Sequence, residues 1–296
     1  MSTPEQTEAT EPVITEAAPT GVPDDANDLR GYHFKRLLRR PLTLILIGSL
    51  ALLVLIAGAV AVGPLVGLAG AIATALIGVV VVFAIADSRA ASDFFQVYAQ
   101  KRGMTCSNER SRLPPATPLL RKGDARYAER TLQGRLADGV DGTLALFTYE
   151  EETTDSEGHS QTNYYRYTVG FTQVTECAEL VPELYCQRKF GLRALEKFED
   201  AFRMKKERVT LESEELLDKY EIFAGKEQDA VWLRRLFSPS FIVWLSDSAP
   251  EKFAFELVDG TLCCYVNGHK ENAADLDGIA AATGAVAKRL RDEALE

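Results

Sequence analysis

The sequence predicts an α+β fold, in which a two-helix transmembrane hairpin precedes a soluble domain with a mainly antiparallel sheet and a long C-terminal helix. Three observations carry this reading. The run from Leu42 to Ala86 holds no charged residue and only Thr43, Ser49 and Thr74 as polar interruptions. Two turn sequences, residues 137–142 (ADGVDG) and Asp259-Gly260, each separate a pair of strand-like segments, the pattern of a β-hairpin. Near the C-terminus Leu276, Ile279, Ala280, Thr283, Val286, Ala287 and Leu290 recur at helical spacing, so that residues 273–295 read as one amphipathic helix.

The apolar run divides in two. A helix crosses the hydrocarbon core in about 20 residues, so residues 39–87 exceed one pass and suit a hairpin. Pro64 cannot donate to a continuing helix and disfavours helical geometry at the residue before it. Gly63 takes the turn that ends one. The first helix then spans about 41–62 and the second about 65–86. Lys35, Arg36, Arg39 and Arg40 precede the first, Arg89, Lys101 and Arg102 follow the second, and the turn between them is uncharged. The positive-inside rule places both termini in the cytoplasm, as in a multi-pass protein of a plasma membrane, the inner membrane of a bacterium. Arg39-Arg40 before an apolar run, with Ala59-Val60-Ala61 after it, also matches a signal peptide with a cleavage site. The 40 residues ahead of Pro41 and the second apolar segment favour an uncleaved hairpin. A transport pathway usually carries an ionisable residue inside the membrane, and this hairpin has none. It reads as an anchor, whose small residues at four-residue spacing (Gly63, Gly67, Ala71; Gly70, Thr74, Gly78) leave self-association open.

Charge is segregated along the chain. The net charge is −10, yet residues 1–29 hold seven acids and no base, while residues 30–40 hold five bases and no acid. Residues 88–296 carry 28 bases and 35 acids. Residues 1–38 therefore read as a disordered acidic tail, too poor in apolar residues to offset the entropy of ordering, with a basic juxtamembrane end. Within that end Tyr32, His33 and Phe34 suit either a membrane interface or a stretch packed on the soluble domain. An acidic domain argues against nucleic acid as a partner, since that needs a basic face. Five cysteines, an odd number without a CxxC pair, suit a reducing compartment. Cys263 and Cys264 are adjacent and on a strand would point to opposite faces.

Residues 88–296 read as one cytosolic domain. A stalk helix, about 88–102, continues the second membrane helix, with Ala90, Phe94, Phe95, Val97 and Tyr98 as its apolar stripe and Gly103 as its stop. Pro114, Pro115 and Pro118 keep the next loop extended. Tyr127–Leu136, Thr143–Tyr149 and Asn163–Val174 read as strands, with Glu150–Ser160 as an acidic loop in solvent. Leu180–Gln187, Arg208–Leu211 and Lys219–Ala224 read as further strands, and Phe253–Val258 pairs with Thr261–Val266. Short helices are expected over Glu214–Leu217 after an N-cap Ser213, over Glu227–Phe237, and from Pro239 to about Leu245. Residues 190–206 (FGLRALEKFEDAFRMKK) suit either an amphipathic helix or a Phe-rich sheet edge.

The run Val209–Glu215 (VTLESEE), then Tyr220–Phe223 (YEIF), Leu236–Pro239 (LFSP) and the closing hairpin and helix resembles a group of uncharacterised bacterial membrane proteins. Those proteins join N-terminal transmembrane helices to a cytosolic domain of unknown function. The resemblance covers roughly residues 90–296 and implies the same topology, with no catalytic residue to carry over. Leu216 and Leu217 stand where such proteins would have an aromatic residue.

No GxSxG, Walker A or GxGxxG sequence occurs, and the three histidines (His33, His159, His269) share no metal-ligand spacing. Asp155, Glu157 and His159 have the chemistry for a divalent ion but sit in the solvated loop. Glu212, Glu214 and Glu215 suit a helix N-terminus. Trp232 and Trp244 fall among Leu233, Leu236, Phe237, Phe241 and Ile242, which suits core packing or, less simply, a groove between helices. No catalytic, cofactor-binding or metal-binding residue is assigned, and no cofactor is expected. The expected partners are the lipid bilayer and either a protein or a second copy of the chain, which makes a membrane-anchored cytosolic module. The alternatives are an enzyme whose site is built from scattered carboxylates and arginines, or an accessory subunit of a membrane transport complex.

Overall fold

The computed structural model describes residues 25–38, 41–154, 158–188, 206–209, 211 and 213–295. Residues 26–38, expected to belong to the tail and its basic end, form helix α1 (Ala26–Leu38). The helix has a buried apolar face: Ala26, Leu29 and Leu37 are covered by packing against the chain that follows. The expected disorder of the residues before Asp25, the 190–205 segment, and Asp155 and Glu157 lie outside the described residues.

Helices α2 (Pro41–Ala61) and α3 (Pro64–Lys101) pack antiparallel around the turn at Gly63. Both are long and apolar enough to cross a membrane. Their outer surfaces stay exposed, with Val60 at 84 % and Leu65 at 80 %. The two backbones meet closely at Gly67, where a Cβ would lie 2.5 Å from the Leu55 carbonyl oxygen and 2.6 Å from the Ala59 nitrogen. The second apolar helix and the expected stalk are a single element. From Ala90 to Ala99 its exposed apolar surface gives way to a buried stripe of Ala90, Ala91, Phe94, Phe95, Tyr98 and Ala99. Gly103, at φ +62°, ends it and reverses the chain, and Met104 N–H donates to the Ala99 carbonyl at 2.9 Å.

The chain then builds a sheet of nine strands among the described residues, antiparallel throughout rather than mainly so. The first four are β1 (Thr105–Ser107), β2 (Ala125–Ala137), β3 (Val140–Thr154) and β4 (Ser160–Gln173). The others are β5 (Glu183–Arg188), β6 (Lys206–Arg208), β7 (Tyr220–Gly225), β8 (Ala254–Val258) and β9 (Thr261–Asn267). Their order across the sheet is β1-β2-β3-β4-β9-β8-β5-β7-β6. The first hairpin is tighter than its turn signal implied, since Ala137 already pairs with Val140. The acidic loop is shorter too. Pairing of β3 with β4 runs on to Thr154 and Ser160 as a two-stranded arm past Glu150, where β2 stops.

Helices close the two faces. α8 (Ala273–Leu295) crosses β2, β3, β4 and β9 with Leu276, Ile279, Val286, Ala287 and Leu290 inward. Over β5 and β7 lie α5 (Glu214–Lys219), α6 (Ala230–Leu236) and α7 (Pro239–Val243), the last continued by a π-type turn to Ser248. Ser213 caps α5 by accepting the Leu216 N–H at 3.3 Å. Asp229 caps α6, which starts three residues later than its apolar pattern suggested. The opposite face is smaller and is covered by a strap, residues 113–122, containing the single turn α4 (Pro118–Arg121). The adjacent cysteines divide as expected of a strand, Cys264 in the core under α8 and Cys263 beneath the strap.

Replacing Gly67 by Val forces α2 from α3 and should destabilise the hairpin by roughly 1–3 kcal/mol. Gly48→Ala, which enters open space, should leave it unchanged. Thermal unfolding of the full chain in mild detergent distinguishes the two.

Candidate functional site

Three groupings of polar side chains depend on this architecture. The first is the junction where α1, α3 and the loop after β9 meet. Arg30 on α1 pairs with Asp87 on α3 and, through Nη2, with Glu271 Oε2 at 2.7 Å. Ala26 N–H donates to the Glu271 carbonyl at 3.0 Å. His33 Nε2 lies 3.0 Å from Asp93, and Phe34 meets Phe83 edge to face. Within the aromatic-basic stretch, His33 and Phe34 thus pack on α3. Burial raises the Glu271 carboxyl above the usual range, and Arg30 pulls it back. Beside it His269 Nε2 lies 3.2 Å from both the Phe147 carbonyl and Thr148 Oγ1, and Glu129 is 4.0 Å from Nδ1. Burial lowers the His269 pKa against the opposing pull of Glu129. A Thr-His-Glu set has the elements of a nucleophile and base, but Thr148 is fully buried. These groups join elements rather than face a substrate.

The second grouping lies under the strap. Glu256 on β8 is fully buried and accepts the Leu119 N–H at 2.9 Å and the Tyr265 hydroxyl at 3.4 Å. Burial pushes its carboxyl above the ordinary range, opposed by the Leu119 N–H, the Thr117 hydroxyl and Lys122. Burial lowers Lys122 to about 8, with Glu256 and Glu151 opposing. The carboxylate sits at the first turn of α4 and receives an N–H that has no partner within that turn. It therefore fastens the strap to the sheet. Sequence reading missed it because Glu256 stands in a strand among apolar neighbours, and only pairing reveals which face it takes. Its single signal is one acid between Phe255 and Leu257.

The third is a groove of about 520 Å³ along the outer side of α8. Ala274, Gly278 and Ala281 form its floor, Trp244, Pro250 and Val266 a wall, and Lys270, Asp275 and Glu251 its polar margin. The two tryptophans therefore part company. Trp232 is buried and donates Nε1–H to the Glu293 carbonyl at 3.2 Å. Trp244 stacks on Phe241 at 5.5 Å and lines this groove.

The remaining residues singled out in the sequence do not converge. His159 stands at the start of β4, far along the chain from His33 and His269, and each histidine belongs to a different locality. Among the described residues no three His, Cys, Asp or Glu side chains are placed to hold a metal ion. The five cysteines are free thiols, and burial pushes Cys177 up to about 11. No family model, curated protein or solved structure matches this chain. The resemblance to bacterial membrane proteins accordingly rests on the quoted residues alone.

Two substitutions test the strap. A buried carboxyl with a raised pKa favours the fold below the ordinary carboxylate range and loses that contribution as pH rises through its folded-state value. Glu256→Gln should therefore unfold at a higher temperature than the natural chain near pH 8, the gain vanishing below roughly pH 4. Glu256→Leu should cost roughly 1–3 kcal/mol at either pH by leaving the Leu119 N–H unsatisfied. Lys122 runs the other way, since a lowered lysine pKa makes the fold gain stability as pH rises from about 8 toward the free-lysine value. Lys122→Met should remove that gain, read as the difference between the two proteins' pH–stability curves.

Proposed function

We propose that the chain is a membrane-anchored module that binds a protein partner and performs no chemistry of its own. In this reading α2 and α3 span the plasma membrane as a hairpin, with α1 and everything beyond Ala86 on the cytoplasmic side. Support comes from the exposed apolar outer surface of both helices, which in water would far exceed the patches soluble proteins tolerate. The basic residues on both flanks and none at the turn support the orientation. Transport by this hairpin alone is disfavoured by the lack of ionisable residues between Leu42 and Ala86.

The observation that carries the reading is the continuity of α3. A helix unbroken from Pro64 to Lys101, with its second half buried in the domain, fixes the domain at the membrane surface. A flexible tether would suit an enzyme that searches for soluble substrate; a fixed mount suits one that presents a surface. The surface proposed is the α8 groove, whose small floor residues let another backbone approach closely, while Trp244 and Pro250 supply apolar contact.

Extraction of native membranes with alkaline carbonate tests the anchor: the chain should stay with the lipid, and its release would end the hairpin reading. A photoreactive residue at Ala281 tests the groove in the full chain. A cross-link to one other protein is the expected result, lost on Gly278→Glu. A cross-link to a second copy would replace a foreign partner with self-assembly, and no cross-link from this position would remove the groove from consideration.

One observation favours a second reading. A buried acid with a raised pKa next to a lysine held at about 8 is a combination used in proton transfer. If the chain is an enzyme, Glu256→Gln should abolish turnover in a metabolite screen while the fold survives.

A further inference from the structure

The chain ahead of α1 joins the fold at a fixed point. Asp25 pairs with Asn272 in an isolated antiparallel bridge, and beside it Ala26 N–H donates to the Glu271 carbonyl at 3.0 Å. Arg30 holds the same Glu271 through its side chain. Antiparallel pairing sets a direction as well as a place. Ala26 lies against Glu271 and Asp25 against Asn272, so the backbone at Asp25 points its upstream end toward Ala273. The next residue, Ala274, already lines the α8 groove.

The groove has room and a chemical preference. Its floor follows α8 from Ala274 through Gly278 and Ala281 to Ala285, about 17 Å of helix. A Cβ at Gly278 would meet only Pro250, at 3.8 Å. Among the described residues the lining holds one base, Lys270, against two acids, Asp275 and Glu251. An acidic occupant would be repelled there, and a small uncharged one would not.

The residues ahead of Asp25 contain one stretch of that kind. Acids recur at Glu5, Glu8, Glu11 and Glu16 and then stop until Asp24. Residues 17–23 (AAPTGVP) are uncharged, with Val22, Pro19 and Pro23 as their bulkier members. Proline disfavours helical geometry at the residue before it and suits the polyproline II form. In that form the six steps from 17 to 23 cover about 19 Å, close to the length of the floor. Extended proline-bearing segments docking in aromatic-lined grooves are a recurring mode of recognition, and Trp244 lines this groove. Pro23 stands two residues from the bridge at Asp25. A segment tethered so closely meets its site at an effective concentration on the order of millimolar.

We propose that residues 17–23 occupy the α8 groove in cis, so that a partner reaches the groove only by displacing the chain's own tail. The proposal rests on the reading of this groove as a docking surface and adds its regulation. What selects the tail over a second copy is the bridge at Asp25, which delivers the segment whatever the concentration of the chain.

The test places a photoreactive residue at Ala281 of the full chain, purified in mild detergent and diluted until copies rarely meet. The expected product is an internal cross-link from position 281 to the peptide holding residues 17–23, identified by mass spectrometry, with a yield that further dilution leaves unchanged. Val22→Asp should lower that yield about ten-fold or more, the worth of one buried valine, with circular dichroism reporting that the fold is kept. In native membranes the same variant should raise the cross-link to a foreign protein several-fold. Absence of the internal product overturns the proposal, as does a product joining two chains, which assigns the groove to a second copy. A partner cross-link indifferent to Val22→Asp also overturns it and leaves the docking surface standing. An internal product with no foreign partner for either chain keeps the tail in the groove and sinks the docking reading instead, so the two failures are told apart.

Discussion

One helix here has to satisfy two surroundings along a single axis. From Pro64 to about Ala86 α3 has apolar side chains on every side and is met by α2 and, near Val82 and Phe83, by the end of α1, whereas from Ala90 to Ala99 one stripe is buried in the domain. No turn separates the regimes, so whatever covers the first half also sets the position of the second. The elements near the changeover reflect this. Arg30, Asp87 and Glu271 tie three chain segments together there, and Phe34 with Phe83 closes the apolar side. An ion pair this exposed contributes little to stability by itself. Its use is geometric, holding α1 in line with a helix that the domain core already grips through Phe94, Phe95 and Tyr98.

The domain's polar interior follows a related logic. A sheet with α8 on one face and only a strap on the other has too little apolar cover to close its second core by packing alone. Glu256 supplies the missing attachment by taking the strap's Leu119 N–H. Burying a carboxyl costs free energy that must be offset by hydrogen bonds and a counter-charge, and Lys122 and Tyr265 are the groups present to do so. The tyrosines around them stack in register, Tyr149 with Tyr165 at 4.8 Å and with Tyr167 at 5.9 Å. Their hydroxyls lend polarity to a layer that would otherwise have to be wholly apolar.

Much of the architecture was legible because it is local. The two apolar helices, the hairpins at Gly139 and Gly260, the caps at Ser213 and the whole of α8 depend on periodicity and turn chemistry within a few residues. Helix α1 was not legible. Its apolar face is thin, only Ala26, Leu29 and Leu37, and it exists because α3 lies opposite. Neither the sheet order nor the length of the β3–β4 arm can be read from single segments, since β5 joins β7 and β8 across long stretches of chain. The candidate sites suffered most. Glu256, Lys122 and His269 carry no motif and gain their character from neighbours more than 100 residues away.

Charge placement is the last step that topology explains. Arg30, Asp87 and Glu271 bring one base and two acids together where the apolar length of α3 gives way to its buried stripe. In sequence these positions are spread over more than two hundred residues. In the fold they meet through one guanidinium. Acidic side chains elsewhere, as at Glu214, Glu215 and Asp218 on α5, lie on helices that cover the far strands β5 and β7. Arg30 draws α1 and the loop after β9 to the changeover, and the unbroken α3 imposes an orientation by covalent geometry. On the proposed membrane reading both constraints select the same posture.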